Sequence, residues 1–171
     1  MGSGLERFRA ATRDLRRVAV DTNLCLYLMD PEVGAAHYLA REVFAAAAAG
    51  AFEIDLAGIV RLELMVRPLK SRSFSEVMAM RKFGERYPGV IARDVPEEVL
   101  LTAAEIRAMT RLKTPDALVV GSAIANRCDG IIGNDKQFRG LNTVQNVRFI
   151  TAPQIKKMPR YIHIDDYMED A

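Results

Sequence analysis

Apolar and polar positions along this chain fall in short blocks whose period switches repeatedly between strand and helix. Arg17-Val-Ala-Val-Asp21 is a compact apolar run that ends in a carboxylate, too short for a helix, and reads as a buried parallel strand. Residues 35–49 are alanine-rich with apolar residues at helical spacing, and Gly50 stands where such a helix stops. Residues 52–57 alternate in character and predict a second strand, after which residues 59–66 return to helical spacing until Pro68. Glu63 is thereby set in a helix that begins just past a strand end.

Residues 74–87 and 96–112 predict two further helices, separated by a turn at Pro88-Gly89, the second opened by Glu97 and Glu98. Thr114-Pro115-Asp116 starts another helix, running to about residue 127. Thr114 is expected as its N-cap, Pro115 at the first helical position and Asp116 in the first turn, where the helix dipole favours negative charge. Residues 129–133 and 147–151 read as short strands. Residues 5–17 form a basic, helix-like start, with Arg7, Arg9, Arg13, Arg16 and Arg17 against Glu6 and Asp14.

Short apolar strands alternating with helices imply βαβ units, hence an α/β fold with a parallel sheet and helices on both faces. No internal repeat, low-complexity segment or linker interrupts the pattern, and 171 residues of which half are hydrophobic suffice for one domain with a core of its own. No apolar run approaches the roughly 18 residues that span a bilayer, and the first residues lack the apolar stretch of a signal peptide, so a soluble, cytoplasmic protein is expected. Cys25 and Cys128 match no metal-binding spacing and read as two reduced thiols in or near the core. With 24 basic and 22 acidic residues the overall charge carries no argument for a nucleic-acid partner, so any such argument rests on where the charges lie.

In an open parallel sheet, ligands bind beyond the carboxyl ends of the strands. Asp21 ends the first strand, Asp135 follows the strand at 130–133, Asp116 opens a helix, and Glu63 lies near the start of the helix after the second strand. All four are expected on one rim. Two carboxylates about 4 Å apart repel by roughly 4 kcal/mol at an effective dielectric near 20, and a cluster of four is worse, so the arrangement calls for a cation unless protons are taken up. Oxygen ligands without thiolate or imidazole suit Mg²⁺ or Mn²⁺, and the chemistry implied is phosphodiester hydrolysis. His37 and His163 stand in no recognisable catalytic setting and read as surface or packing residues.

Four segments, Val18-Ala-Val-Asp21-Thr22-Asn23, Arg61-Leu-Glu63-Leu, Thr114-Pro-Asp116-Ala-Leu-Val and Gly130-Ile-Ile-Gly-Asn134-Asp135-Lys-Gln-Phe138, together resemble the PIN-domain nucleases. The resemblance implies a three-layer α/β/α domain with a mainly parallel sheet of four to five strands, spanning residues 17–152 between an N-terminal basic arm at 1–16 and a C-terminal extension with an acidic tail at 153–171. It also implies an endoribonuclease whose metal-binding carboxylates are Asp21, Glu63, Asp116 and Asp135, supported by Thr22, Asn23, Thr114 and Asn134. The small size is similar to the toxins of VapBC-type toxin–antitoxin pairs, which implies an antitoxin partner and a homodimer. The chain departs from the pattern at Gly133, where many members carry a Thr or Ser whose hydroxyl would hold a water or orient Asp135.

Arg61, Arg67, Lys113 and Lys136, with Lys70, Arg72 and Arg111, are candidates for phosphate contacts around the rim, against the alternative of ordinary solvated helix surface. Three other functions stay open from the sequence: an RNA-processing nuclease of the same family without an antitoxin, a catalytically weak module that binds RNA or protein, and a receiver-type phosphorylation domain. Lys136, directly following Asp135, does not fit the last of these.

Overall fold

The computed structural model describes residues 3–143, 146–148, 150–151 and 155–168. Helix α1 (Gly4–Thr12) opens with a capping box, in which the Ser3 hydroxyl accepts from the Glu6 N–H while the Glu6 carboxylate accepts from the Ser3 N–H. Strand β1 (Arg17–Val20) leads directly into α2 (Thr22–Met29), and α3 (Ala35–Ala48) follows a short 3-10 turn. Next come β2 (Glu53–Leu56), α4 (Gly58–Lys70), α5 (Phe74–Arg86), β3 (Val90–Ala92), α6 (Glu97–Met109), α7 (Thr114–Ala125) and β4 (Gly130–Gly133). A 3-10 segment (Lys136–Thr143), β5 (Asn146–Arg148), β6 (Ile155–Lys157), β7 (Arg160–His163) and a last 3-10 turn (Ile164–Tyr167) complete the described chain.

One five-stranded sheet, in the order β3-β2-β1-β4-β7 with every neighbouring pair parallel, forms the centre and is flanked by the helices. Successive residues of the middle strands, Val18, Ala19 and Val20 of β1 and Ile131 and Ile132 of β4, are all buried. Neighbours along a strand point to opposite faces, so both faces are covered, as expected of a parallel sheet crossed by helices. The register puts Val20 beside Ile132 and Gly133 beside His163, which aligns the carboxyl ends of β1, β4 and β7. Cys25 and Cys128 are buried free thiols, and among the described residues no helix is long and apolar enough to cross a membrane.

The structure corrects the expected elements in several places. Residues 22–29 form α2, which the apolar run hid because an eight-residue helix shows too few turns for its period to stand out. Pro68 does not end α4: it lies in the last turn, where only one helical hydrogen bond is lost, and the stop comes at Arg72, whose φ of 53° is left-handed. Thr114 is not the N-cap of α7; Lys113 holds that place without a side-chain cap, and Thr114 is the first helical residue. The turn at Pro88-Gly89 leads straight into β3, an edge strand of three half-buried residues. The strand expected at 147–151 is found at Asn146–Arg148 and belongs to a separate antiparallel pair with β6. The fifth strand of the main sheet is instead β7, within the stretch read as a C-terminal extension, and the acidic Asp165 and Asp166 sit in the ordered 3-10 turn after it. Glu169 and Asp170 lie outside the described residues.

Candidate active site

Asp21 leaves β1 and becomes the N-cap of α2, so the strand end and the helix start place its carboxylate together. One oxygen accepts from the Leu24 N–H at 2.9 Å, and the other accepts from the Asn134 N–H, just beyond β4, at 2.9 Å. The residue is only 5% exposed. Burial raises its pKa from the usual 3.8 to about 6; the two N–H donors pull it down and the Asp135 carboxylate pushes it further up.

Thr22, the first residue of α2, donates its hydroxyl to the Glu63 carboxylate and so ties α2 to α4. Asp116 stands half-buried in the first turn of α7, and its pKa is raised by burial and by the nearby Asp135 and Glu63, with Lys113 acting in the opposite direction. Asp135 follows β4 and accepts the Gln137 N–H on Oδ1 at 2.8 Å, an Asx turn that starts the 3-10 segment. All four carboxylates line one cavity of about 180 Å³ together with Thr22, Asn23, Pro115, Val119 and Phe138. Among the described residues, no lysine or arginine shares that lining.

The other sequence candidates lie around it. Asn134 stands behind the cavity, reaching it through its main-chain N–H to Asp21, and Thr114 is exposed on α7. Lys113 and Lys136 are exposed beside Asp116 and Asp135, whereas Arg67 is exposed farther along α4. Arg61 turns elsewhere: its guanidinium donates to the Arg93 carbonyl at 3.4 Å and stands 3.9 Å from Asp94. The wall residues Val119 and Phe138 were not singled out as site residues in the sequence, although each closes one of the four motifs.

Gly133 has a steric reason. A Cβ built there would lie 2.2 Å from Oδ2 of Asp21, so a side chain at this position excludes the observed carboxylate orientation. The absence of a Cβ at 133 is therefore what leaves room for Asp21 to accept from the Asn134 N–H in this orientation.

Whether these residues suit a divalent cation is a question of donor chemistry. The donors are oxygen only, they repel one another, and among the described residues no basic side chain in the lining neutralises them. Among the described residues, no three acidic, histidine or cysteine side chains form a ready-made ligand cluster. That arrangement fits a hard, hydrated ion such as Mg²⁺, which keeps several waters and uses only one or two carboxylates, and does not fit an all-protein cage.

Comparison with known proteins agrees with this architecture. The family model for the PIN domain matches residues 18–143. Among solved structures, the chain is similar to VapBC2 from Rickettsia felis, solved with a DNA fragment from its promoter (TM-score 0.56, 19% identity, 72% of this chain and 92% of that one). It is also similar to VapBC-1 from nontypeable Haemophilus influenzae (TM-score 0.57, 12% identity, 87% and 98%) and to a toxin-antitoxin complex from Klebsiella pneumoniae (TM-score 0.51, 21% identity, 72% and 91%). No curated protein sequence matches the chain. At these identities the structural likeness speaks for the fold, while the family model, spanning the strands and helices that carry all four carboxylates, identifies the chain as a member of the PIN domain family.

Proposed function

We propose that this protein is a Mg²⁺- or Mn²⁺-dependent endoribonuclease of the cytoplasm and the toxin of a toxin–antitoxin pair. The observation that carries the reading is one cavity lined by Asp21, Glu63, Asp116 and Asp135, with no basic side chain in its wall among the described residues. A divalent ion held there supplies Lewis acidity toward a scissile phosphate and a nucleophilic water at neutral pH. Asp21, fixed by two main-chain N–H groups, and Glu63, fixed by Thr22, are the rigid carboxylates that would hold the ion; Asp116 and Asp135 complete the acidic wall. Lys113 and Lys136, exposed beside that wall, hold the flanking RNA phosphates.

The partner follows from the surface and the relatives. Leu62, Val66 and Leu69, at helical spacing on the α4 that carries Glu63, and Phe74 at the start of α5 are exposed apolar side chains that an antitoxin or a second copy of the chain would cover. The similar solved structures are themselves named as toxin–antitoxin complexes.

A second reading, a weakly catalytic binding module, is favoured by one observation, Gly133, which leaves the corner beside Asp135 without a supporting hydroxyl. Incubation of labelled RNAs with Mg²⁺, Mn²⁺ or EDTA separates the two. A nuclease cuts only with metal, and Asp21→Asn and Asp116→Asn each lose more than the roughly 10–100-fold that removal of a supporting residue costs. RNA bound but uncut under every metal condition would establish the binding module instead.

A further inference from the structure

Asn134 reaches Asp21 through its main-chain N–H, and its own side chain is held from two sides by elements far apart in sequence. The amide oxygen accepts from the Tyr27 hydroxyl of α2 at 2.7 Å, and the amide NH₂ faces both carboxylate oxygens of Asp165, in the 3-10 turn after β7, at 2.9 Å. The opposite orientation would set the amide oxygen against that carboxylate, so the neighbours decide which way the amide lies. Tyr27, Asn134 and Asp165 are all partly shielded from solvent, where such bonds hold their geometry best.

Each end of this bridge is anchored. The Tyr27 carbonyl lies 2.8 Å from Nδ1 of His37, which ties α2 to α3. The turn carrying Asp165 closes with the Met168 N–H donating to the Asp165 carbonyl at 3.3 Å, and its Tyr167 ring packs edge-on against Phe8 of α1 at 5.4 Å. Asp165 lies beyond residue 143, where the family match ends. The bridge also stands beside Gly133, the position at which a side chain would displace the Asp21 carboxylate.

We propose that Tyr27 and Asp165 are positioning residues which lock the Asn134 side chain, so that its main-chain N–H holds Asp21 in the orientation used for metal binding and catalysis. The C-terminal turn thus supplies this restraint from outside the matched region. The structural half stands without the nuclease reading; the catalytic half rests on it.

The test uses the full-length protein with Tyr27→Phe, Asp165→Ala and Asp165→Asn, and with Glu53→Gln at the far end of the sheet as a control. In metal-free protein, hydrogen exchange and the ¹H shift of the Asn134 main-chain amide are followed by NMR. Exchange about tenfold faster in Tyr27→Phe and Asp165→Ala, near-parent exchange in Asp165→Asn, which keeps an accepting oxygen, and parent behaviour in Glu53→Gln are expected. Mn²⁺ titration by calorimetry should show the first two variants binding about 10–100-fold more weakly, with cleavage losing kcat and leaving the KM for RNA unchanged. An Asn134 amide indifferent to both variants overturns the proposal. If Asp165→Ala does not fold, Tyr27→Phe, which removes a single oxygen, decides the matter on the same readouts. A changed amide in a protein that cuts no RNA would retain the bridge and overturn the nuclease reading alone.

Discussion

Asp21 combines two demands that conflict: as an N-cap it must accept main-chain N–H groups, and as a cavity wall it is buried beside other carboxylates. Its raised pKa records that the second demand wins. A folded-state pKa of about 6 against the usual 3.8 means that the folded protein binds more protons than the unfolded chain between those values, so this group's contribution to stability falls as pH rises from about 4 to 6 and is level above. Asp21→Asn removes that titration. Its unfolding free energy relative to the parent, measured by urea denaturation in metal-free buffer, should therefore improve by about 2 kcal/mol between pH 4 and pH 7, whatever the offset at pH 4. A flat difference would mean that Asp21 is solvated in the folded state. That an aspartate ends β1 is legible in the sequence. That it is wedged into the space left by Gly133 is not, because the two residues meet only when β1 and β4 pair.

At the scale of elements, α7 carries Asp116 to the cavity and must lie close against α6 to do so. Gly121 makes the approach possible: a Cβ there would meet the Val99 carbonyl at 2.9 Å and the Ala103 N and Cβ at 3.0 Å. Gly121→Val forces the two helices apart and should cost about 1–3 kcal/mol in denaturant unfolding, with reduced RNA cleavage because the first turn of α7 shifts with the helix. Unchanged stability would show that α6 yields without strain. Long periodic segments such as α3, α5 and α6 are readable from the sequence because their apolar stripes repeat over several turns. Helix α2 and strand β3 are not, since eight and three residues leave no period to detect. The Pro68 misreading has the same origin: a local rule about proline says nothing of how near the helix is to its end.

For the whole molecule, the decisive piece is β7, which follows the β5–β6 pair in sequence and completes the main sheet beside β4. Met158, Ile162 and Ile164 are buried there, and Tyr161 packs on Phe138 with ring centres 5.2 Å apart. Removing the three aliphatic side chains from the core forfeits about 1.5–3 kcal/mol each, a sum comparable with the roughly 5–15 kcal/mol by which a whole domain is stable. A chain ending at residue 157 should therefore show no cooperative thermal transition by circular dichroism; a sharp transition would mean that β4 serves well as an edge strand. What the sequence determined by itself is local: which runs are strands or helices, the α/β class that their alternation implies, and the strand-end and helix-start positions of Asp21, Glu63, Asp116 and Asp135. Those features depend on periodicity and on the chemistry of neighbouring residues. The tertiary structure decided everything that depends on residues meeting across the chain, namely the strand order with β7 beside β4, the burial that raises Asp21, the room made by Gly133, and the bridge from Tyr27 through Asn134 to Asp165. No pattern of near neighbours encodes these, because packing is fixed by the combined shape of all the elements.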